Sequence, residues 1–172
     1  MREKIKTMCR VALCAAMLCL ICPWAIPFGG VPITLALLAV LMISELFPWR
    51  IALGAVILYV TLGAVGLPIF AGFAGGFQVI IGPTGGFILT YPVIAFVVSK
   101  FKGKFIKNCI LGLLSTIICY VFGSLWFSFT TSSEFLPSLG AVTLSCIVPD
   151  TAKILCASVL ADVLKSRLRI RE

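Results

Sequence analysis

Six stretches of this chain, at roughly 9–26, 33–48, 51–67, 83–99, 108–128 and 139–163, are apolar over lengths close to the ~20 residues a bilayer-crossing helix needs. That feature excludes most folds at once. Lipid-exposed backbone must be helical or part of a closed barrel, because no water satisfies its N–H and C=O groups. The runs lack the period-two alternation of barrel strands, so they predict helices. The second and third runs are separated only by Pro48-Trp49-Arg50. Composition enters as a check. The 172 residues are 61% hydrophobic and 12% charged, about half the ~25% charged share of soluble domains. A soluble core of this size would leave a large apolar surface in water. The expectation is an all-α integral membrane protein, residues 1–172 forming a single membrane domain of six transmembrane helices.

Charge placement tests that count. Cytoplasmic loops are enriched in Lys and Arg. With six spans, the inner segments hold Arg2, Lys4, Lys6 and Arg10; Arg50; Lys100, Lys102, Lys104 and Lys107; and Lys165, Arg167, Arg169 and Arg171, thirteen of the fourteen basic residues. Five or seven spans would put at least one cluster on the wrong side. Both termini are therefore expected in the cytoplasm. The net charge of +8 then serves orientation and contact with anionic headgroups, and nucleic acid is not an expected partner. A cleaved secretion signal over the basic start, VALCAAMLCLIC and Pro23-Trp24-Ala25 is an alternative for the N-terminus, but it would leave five spans and disturb this balance.

Eight cysteines, Cys9, Cys14, Cys19, Cys22, Cys109, Cys119, Cys146 and Cys156, lie in or beside apolar runs with no CxxC pair. They read as small buried hydrophobes. With no histidine in the chain, a structural zinc site is not expected, and no other cofactor is implied.

Lys153 is the fourteenth base, and it sits inside the sixth run with Asp150. A lysine at the centre of a membrane helix costs about 2.5–3.5 kcal/mol on insertion scales, so it is normally paired or faces a polar cavity. Asp150 and Lys153 are three apart and share a helix face, and Pro149 before them would tolerate a break or a helix start. Two readings follow. Either the pair cancels its own cost, or it is a ligand site where Asp150 accepts N–H bonds and Lys153 meets an anionic group. Glu45 and Asp162 lie near the inner ends of the second and sixth runs and Glu134 in an outer loop, so none of them competes.

Residues 66–87 read GLPIFAGFAGGFQVIIGPTGGF, with seven glycines and two prolines in twenty-two residues. Both types are poor in helix interiors, so this stretch predicts a glycine-rich outer loop between helices three and four. Irregular backbone at membrane depth is tolerated where it lines a cavity or is buried in protein. Glycine lets backbone approach a ligand closely, and Phe70, Phe73, Phe77 and Phe87 would supply apolar walls. A plain re-entrant loop or packing glycines is the alternative. No Gly-Lys-Ser/Thr follows, so the stretch is not a nucleotide P-loop.

GLPIFAGFAGGFQVIIGPTGGFIL resembles the signature of the BioY family, the biotin-specific substrate-binding (S) subunits of energy-coupling factor transporters. Val31-Pro32-Ile33-Thr34 resembles that family's VPxT element, and Pro149-Asp150 with Lys153 its P-x-x-x-K ending. The chain departs from the pattern at Ala36, where a glutamine is expected, and at Thr90 before Tyr91, where glycine is usual. The resemblance implies capture of biotin from outside in a pocket under the 66–87 loop. Its substrate-binding positions would be Thr34, Gly72, Phe73, Gly75, Gly76, Gln78, Thr84, Tyr91, Asp150 and Lys153. It further implies a membrane coupling (T) subunit and two ATPase (A) subunits as partners, with the site emptied inward as the whole subunit topples in a bacterial cell membrane. Ala12 and Ala16, a small-xxx-small pair, would form the docking surface for the coupling subunit.

Three other functions compete. An S subunit for another vitamin, such as thiamine or riboflavin, would keep the architecture and lose the 66–87 signature. A structural or channel-forming membrane protein would leave Asp150 and Lys153 as a packing pair. An enzyme would need a nucleophile–base pair or metal ligands, which a chain with no histidine and so few buried carboxylates does not offer.

Overall fold

The computed structural model describes residues 2–26 and 32–168. The chain runs α1 (Arg2–Ile21), a pair of two-residue strands β1 (Ala25–Ile26) and β2 (Ile33–Thr34), α2 (Ala36–Leu46), α3 (Trp49–Val65), a 3-10 turn (Ala71–Phe73), α4 (Phe77–Ile81), α5 (Gly85–Phe101), α6 (Phe105–Thr131) and α7 (Phe135–Leu168). Each predicted run overlaps one of the longer helices; α1 begins well before the 9–26 run and stops short of its end, the last residues of that run forming β1. Val31 of the VPIT stretch, and Arg169 and Arg171 of the C-terminal basic cluster, lie outside the described residues.

Breaks fall where the side chains demand them. Phe47 is extended, at φ −106° and ψ 155°, because Pro48 excludes the helical conformation from the residue before it. That one extended residue separates α2 from α3. α7 does not break at Pro149; the proline sits inside a continuous 34-residue helix, so its missing N–H costs one backbone bond rather than an element. The β1–β2 pairing is antiparallel, Ala25 opposite Thr34 and Ile26 opposite Ile33, and it delivers Thr34 to the start of α2.

α2 is the centre of the molecule. It packs against α1, α3, α5 and α7, and of its eleven residues all but Leu38 are buried, as expected for a helix that is apolar apart from Ser44 and Glu45. Eleven residues rise only about 16 Å, whereas α6 has 27 residues and rises about 40 Å. Among the described residues α6 alone is both long and apolar enough to cross a bilayer by itself; α2, α3 and α5 are apolar but shorter. A short central helix ringed by longer ones leaves a hollow beyond its N-terminal end.

Candidate functional site

That hollow is a cavity of about 150 Å³, roughly ten times the space one water requires. Ala36 and Leu37 of α2 form its base, and Ile88 and Tyr91 of α5 one wall. Cys119 and Tyr120 of α6 and Cys146, Asp150 and Lys153 of α7 form another, with Phe70, Ala71 and Ala74 of the glycine-rich stretch covering it. Most of this surface is apolar. Its charged groups are confined to α7.

Asp150 and Lys153 are 7% and 9% exposed. Lys153 Nζ donates to Asp150 Oδ1 at 2.6 Å, and the Tyr120 hydroxyl donates to Asp150 Oδ2 at 2.7 Å. Each carboxylate oxygen therefore holds one strong, charge-assisted bond. A carboxylate offers about four lone-pair sites and an ammonium three protons. Asp150 thus retains acceptor capacity, and among the described residues Lys153 has no second hydrogen-bond partner. The arrangement can receive a ligand carrying N–H donors together with an oxygen acceptor or an anionic group.

The cover is held by directed contacts. Gly72 N–H donates to the Pro23 carbonyl at 2.9 Å and Gly76 N–H to the Gly63 carbonyl at 2.8 Å. Trp24 and Phe73 meet edge to face at 5.7 Å. Phe70 turns inward over Tyr59, ring centroids 5.6 Å apart, while the Tyr59 hydroxyl donates to the Ile69 carbonyl at 3.2 Å. Two glycines are required here. Gly76 has φ +99° and ψ 160°, a region essentially closed to other residues, and a Cβ on Gly75 would lie 2.3 Å from the Leu67 carbonyl oxygen. At the far wall a Cβ on Gly123 would meet the Phe87 ring at 2.2 Å, so α6 must be bare there for Phe87 to border the cavity.

The BioY family model matches residues 1–170. The chain belongs to the BioY family. It is 35% identical over 136 residues to Biotin transporter BioY2 of Lactococcus lactis subsp. cremoris, covering 77% of this chain and 75% of that protein. It is 31% identical over 162 residues to the probable biotin transporter BioY of Pyrococcus horikoshii, covering 94% and 98% of the two. The crystal structure of the S-component for biotin from an ECF-type ABC transporter superposes with a TM-score of 0.88 at 25% identity, covering 99% of this chain and 98% of that one. The family and this structural likeness make the chain a membrane protein of S-component architecture.

Of the positions carried over from the BioY resemblance, Thr34, Thr84, Tyr91, Asp150 and Lys153 line the cavity. Gly72, Phe73, Gly75, Gly76 and Gln78 do not. Gly72, Phe73 and Gln78 are exposed, and their stretch reaches the cavity through Phe70, Ala71, Ala74 and Val79 instead. Of the four phenylalanines expected as walls, Phe70 and Phe87 line it, while Phe73 and Phe77 face outward at 58% and 63% exposure. Ala36 stands on the cavity base. Tyr120, Tyr59, Cys119 and Cys146 were not among the sequence-derived positions. Tyr120 had a readable signal: a buried phenol needs a partner, and so does the second oxygen of a buried carboxylate. Ala12 and Ala16 are exposed on α1, while Cys14, Ala15 and Leu18 pack inward.

Proposed function

We propose that this BioY chain is the substrate-capture subunit of a biotin uptake transporter. It binds the vitamin from outside in the cavity beyond α2 and delivers it inward with an energising module. One observation carries the reading: a buried Asp–Lys–Tyr cluster set into an otherwise apolar cavity. Biotin matches it group for group. Its ureido ring has two N–H donors and a carbonyl, its thiophane ring and tail are apolar, and its tail ends in a carboxylate. Asp150 accepts a ureido N–H, and Lys153 meets the carboxylate or the ureido oxygen. Thr34, Thr84 and Tyr91 add hydroxyls to the wall, and Gly72, Phe73, Gly75, Gly76 and Gln78 shape the cover rather than touch the ligand. A ligand that leaves the buried pair unsatisfied binds poorly, because an unpaired buried polar group costs about 1–3 kcal/mol or more.

The topology follows the charges. Residues 1–172 form one membrane domain with six spans, both termini in the cytoplasm and the 66–84 segment outside, in a bacterial cell membrane. The basic clusters at the helix ends support this orientation. Ala12 and Ala16 offer α1 to a coupling subunit, which links the chain to two ATPase subunits. The chain is a binding subunit and not an enzyme.

The test is calorimetric titration of the purified protein with biotin, with melting curves as a second readout, since a ligand of the folded state raises apparent stability by RT ln(1 + [L]/Kd). Tight binding by wild type, lost in folded Asp150→Asn and Lys153→Met, supports the reading. A folded wild type that shows neither binding heat nor stabilisation with biotin refutes it.

A further inference from the structure

A second polar cluster lies at the opposite end of α2 from the cavity. Glu45, Asn108 and Ser158 are each fully buried, at 0% exposure. Ser158 Oγ of α7 donates to Glu45 Oε1 at 2.9 Å, and Asn108 Nδ2 of α6 donates to Glu45 Oε2 at 3.3 Å. Asn108 Oδ1 in turn accepts from the Gly103 N–H at 2.7 Å. Lys102 Nζ donates to the Phe47 carbonyl at 3.0 Å, tying the same α5–α6 turn to the end of α2. Both side chains that donate to Glu45 are neutral. A carboxylate buried among neutral donors is an expensive way to hold helices together, since well-packed apolar residues often stabilise as well or better.

What the cluster supplies is direction. α7 packs against α2 and α6, and its Ile154, Ala157, Ser158 and Ala161 are all buried and spaced along one helix face. Two of the four are alanine. On α6 the facing position is Gly112, where a Cβ would lie 2.8 Å from Ile154 Cγ2. Such smooth surfaces allow close approach but offer few knobs to fix rotation or register. Asp150 and Lys153 stand one to two turns further along the same helix. A rotation of one residue, about 100°, would carry both off the cavity wall.

We propose that Glu45, Asn108 and Ser158 form a positioning clasp for the ligand site: by fixing the rotation of α7 against α2 and α6, they set where Asp150 and Lys153 stand in the cavity. Glu45 is a positioning residue, acting on the ligand through α7. The inference rests on the biotin-capture reading.

Its donor–acceptor pattern makes it testable by exchange. Asn108→Asp sets two carboxylates face to face. Glu45→Gln alone can turn its amide so that the oxygen accepts from Asn108 and the N–H₂ donates to the Ser158 hydroxyl, which both donates and accepts. Asn108→Asp is therefore the single variant that breaks the pattern. In E45Q/N108D the pattern is restored with its polarity reversed. The amide introduced on α2 accepts from Ser158 and donates to the carboxylate introduced on α6, whose second oxygen still accepts from Gly103. Asn108→Asp is expected to weaken biotin binding about tenfold or more, the scale of one hydrogen bond to a charged group. The double variant should return to within about threefold of wild type. Calorimetry gives the affinity and a melting curve the stability. An Asn108→Asp variant that melts lower but binds biotin as wild type does would overturn the inference, as would a double variant that binds no better than Asn108→Asp. If Asn108→Asp does not fold, Ser158→Ala, which removes one neutral donor, carries the test with the same two readouts. A wild type that folds without binding biotin refutes the capture reading itself, whereas a wild type that binds alongside unaffected variants refutes only the clasp.

Discussion

Stability and binding should separate at the Asp150–Lys153 pair. Their side chains are 11% and 10% exposed and the contact is 2.6 Å, so solvent screens it little. Asp150→Asn leaves a buried ammonium without its counter-ion, and Lys153→Met leaves a buried carboxylate holding only the Tyr120 hydroxyl. Breaking a buried pair from one side costs about 3–5 kcal/mol, while replacing both partners by neutral groups is often close to neutral. For a chain of this length each kcal/mol moves the melting temperature by about 2–4 °C, so either single variant should melt roughly 6–20 °C below wild type. D150N/K153M removes both charges and keeps an acceptor for Tyr120. It should recover most of that loss, to within about 1–2 kcal/mol of wild type. Biotin binding behaves oppositely, being lost in both singles and in the double. The assays are melting curves and calorimetric titration in the same detergent. A double variant as unstable as the sum of the singles would refute the coupling argument, and one that still binds biotin tightly would place the site elsewhere.

Tyr120→Phe removes one charge-assisted bond and little volume, so stability should fall by about 1.5–3 kcal/mol, measured by thermal melting, with a weaker biotin Kd in titration. Phe70→Ala, at a ring 1% exposed, should cost about 3–5 kcal/mol and speed biotin dissociation, read by stopped-flow or filter retention. Ala16→Trp, on the exposed face of α1, should leave biotin binding by purified protein within about twofold while abolishing uptake in cells carrying the energising module. Unchanged uptake would remove that face from the docking surface.

The parts legible in the sequence were those with a large energy attached. A lysine in an apolar run must find a partner, and Asp150 one turn away was the nearest; the 2.6 Å contact follows from that cost. Pro48 marked the α2–α3 break because the residue before proline avoids the helical conformation. Tyr120 carried a signal, a phenol in an apolar run that needs a partner, but not the partner's identity, because Asp150 lies thirty residues away, a tertiary contact that helical periodicity does not encode. Glu45 stood near the end of an apolar run, where a carboxylate normally reaches water. It is buried because Asn108 and Ser158 arrive from helices more than sixty residues distant. The glycine-rich stretch was readable as a non-helical cover but not residue by residue. Which of its side chains turn inward depends on turn geometry, and Phe70 and Phe73, three positions apart, face opposite ways.

The unequal helices also shape the surrounding lipid. α3 and α5 have 17 residues each and rise about 26 Å, whereas α6 rises about 40 Å and turns Ile106, Ile110, Leu113, Ile117, Val121, Leu125 and Phe129 outward along its length. With α3 and α5 as spans, as proposed above, a hydrocarbon layer about 30 Å thick matches neither wall. It must thin beside the short helices or the body must lean, and each ångström of mismatch costs a fraction of a kcal/mol. Because the mismatch is lopsided, it exerts a torque rather than a uniform squeeze, and thicker or thinner bilayers should shift the resting tilt of the subunit.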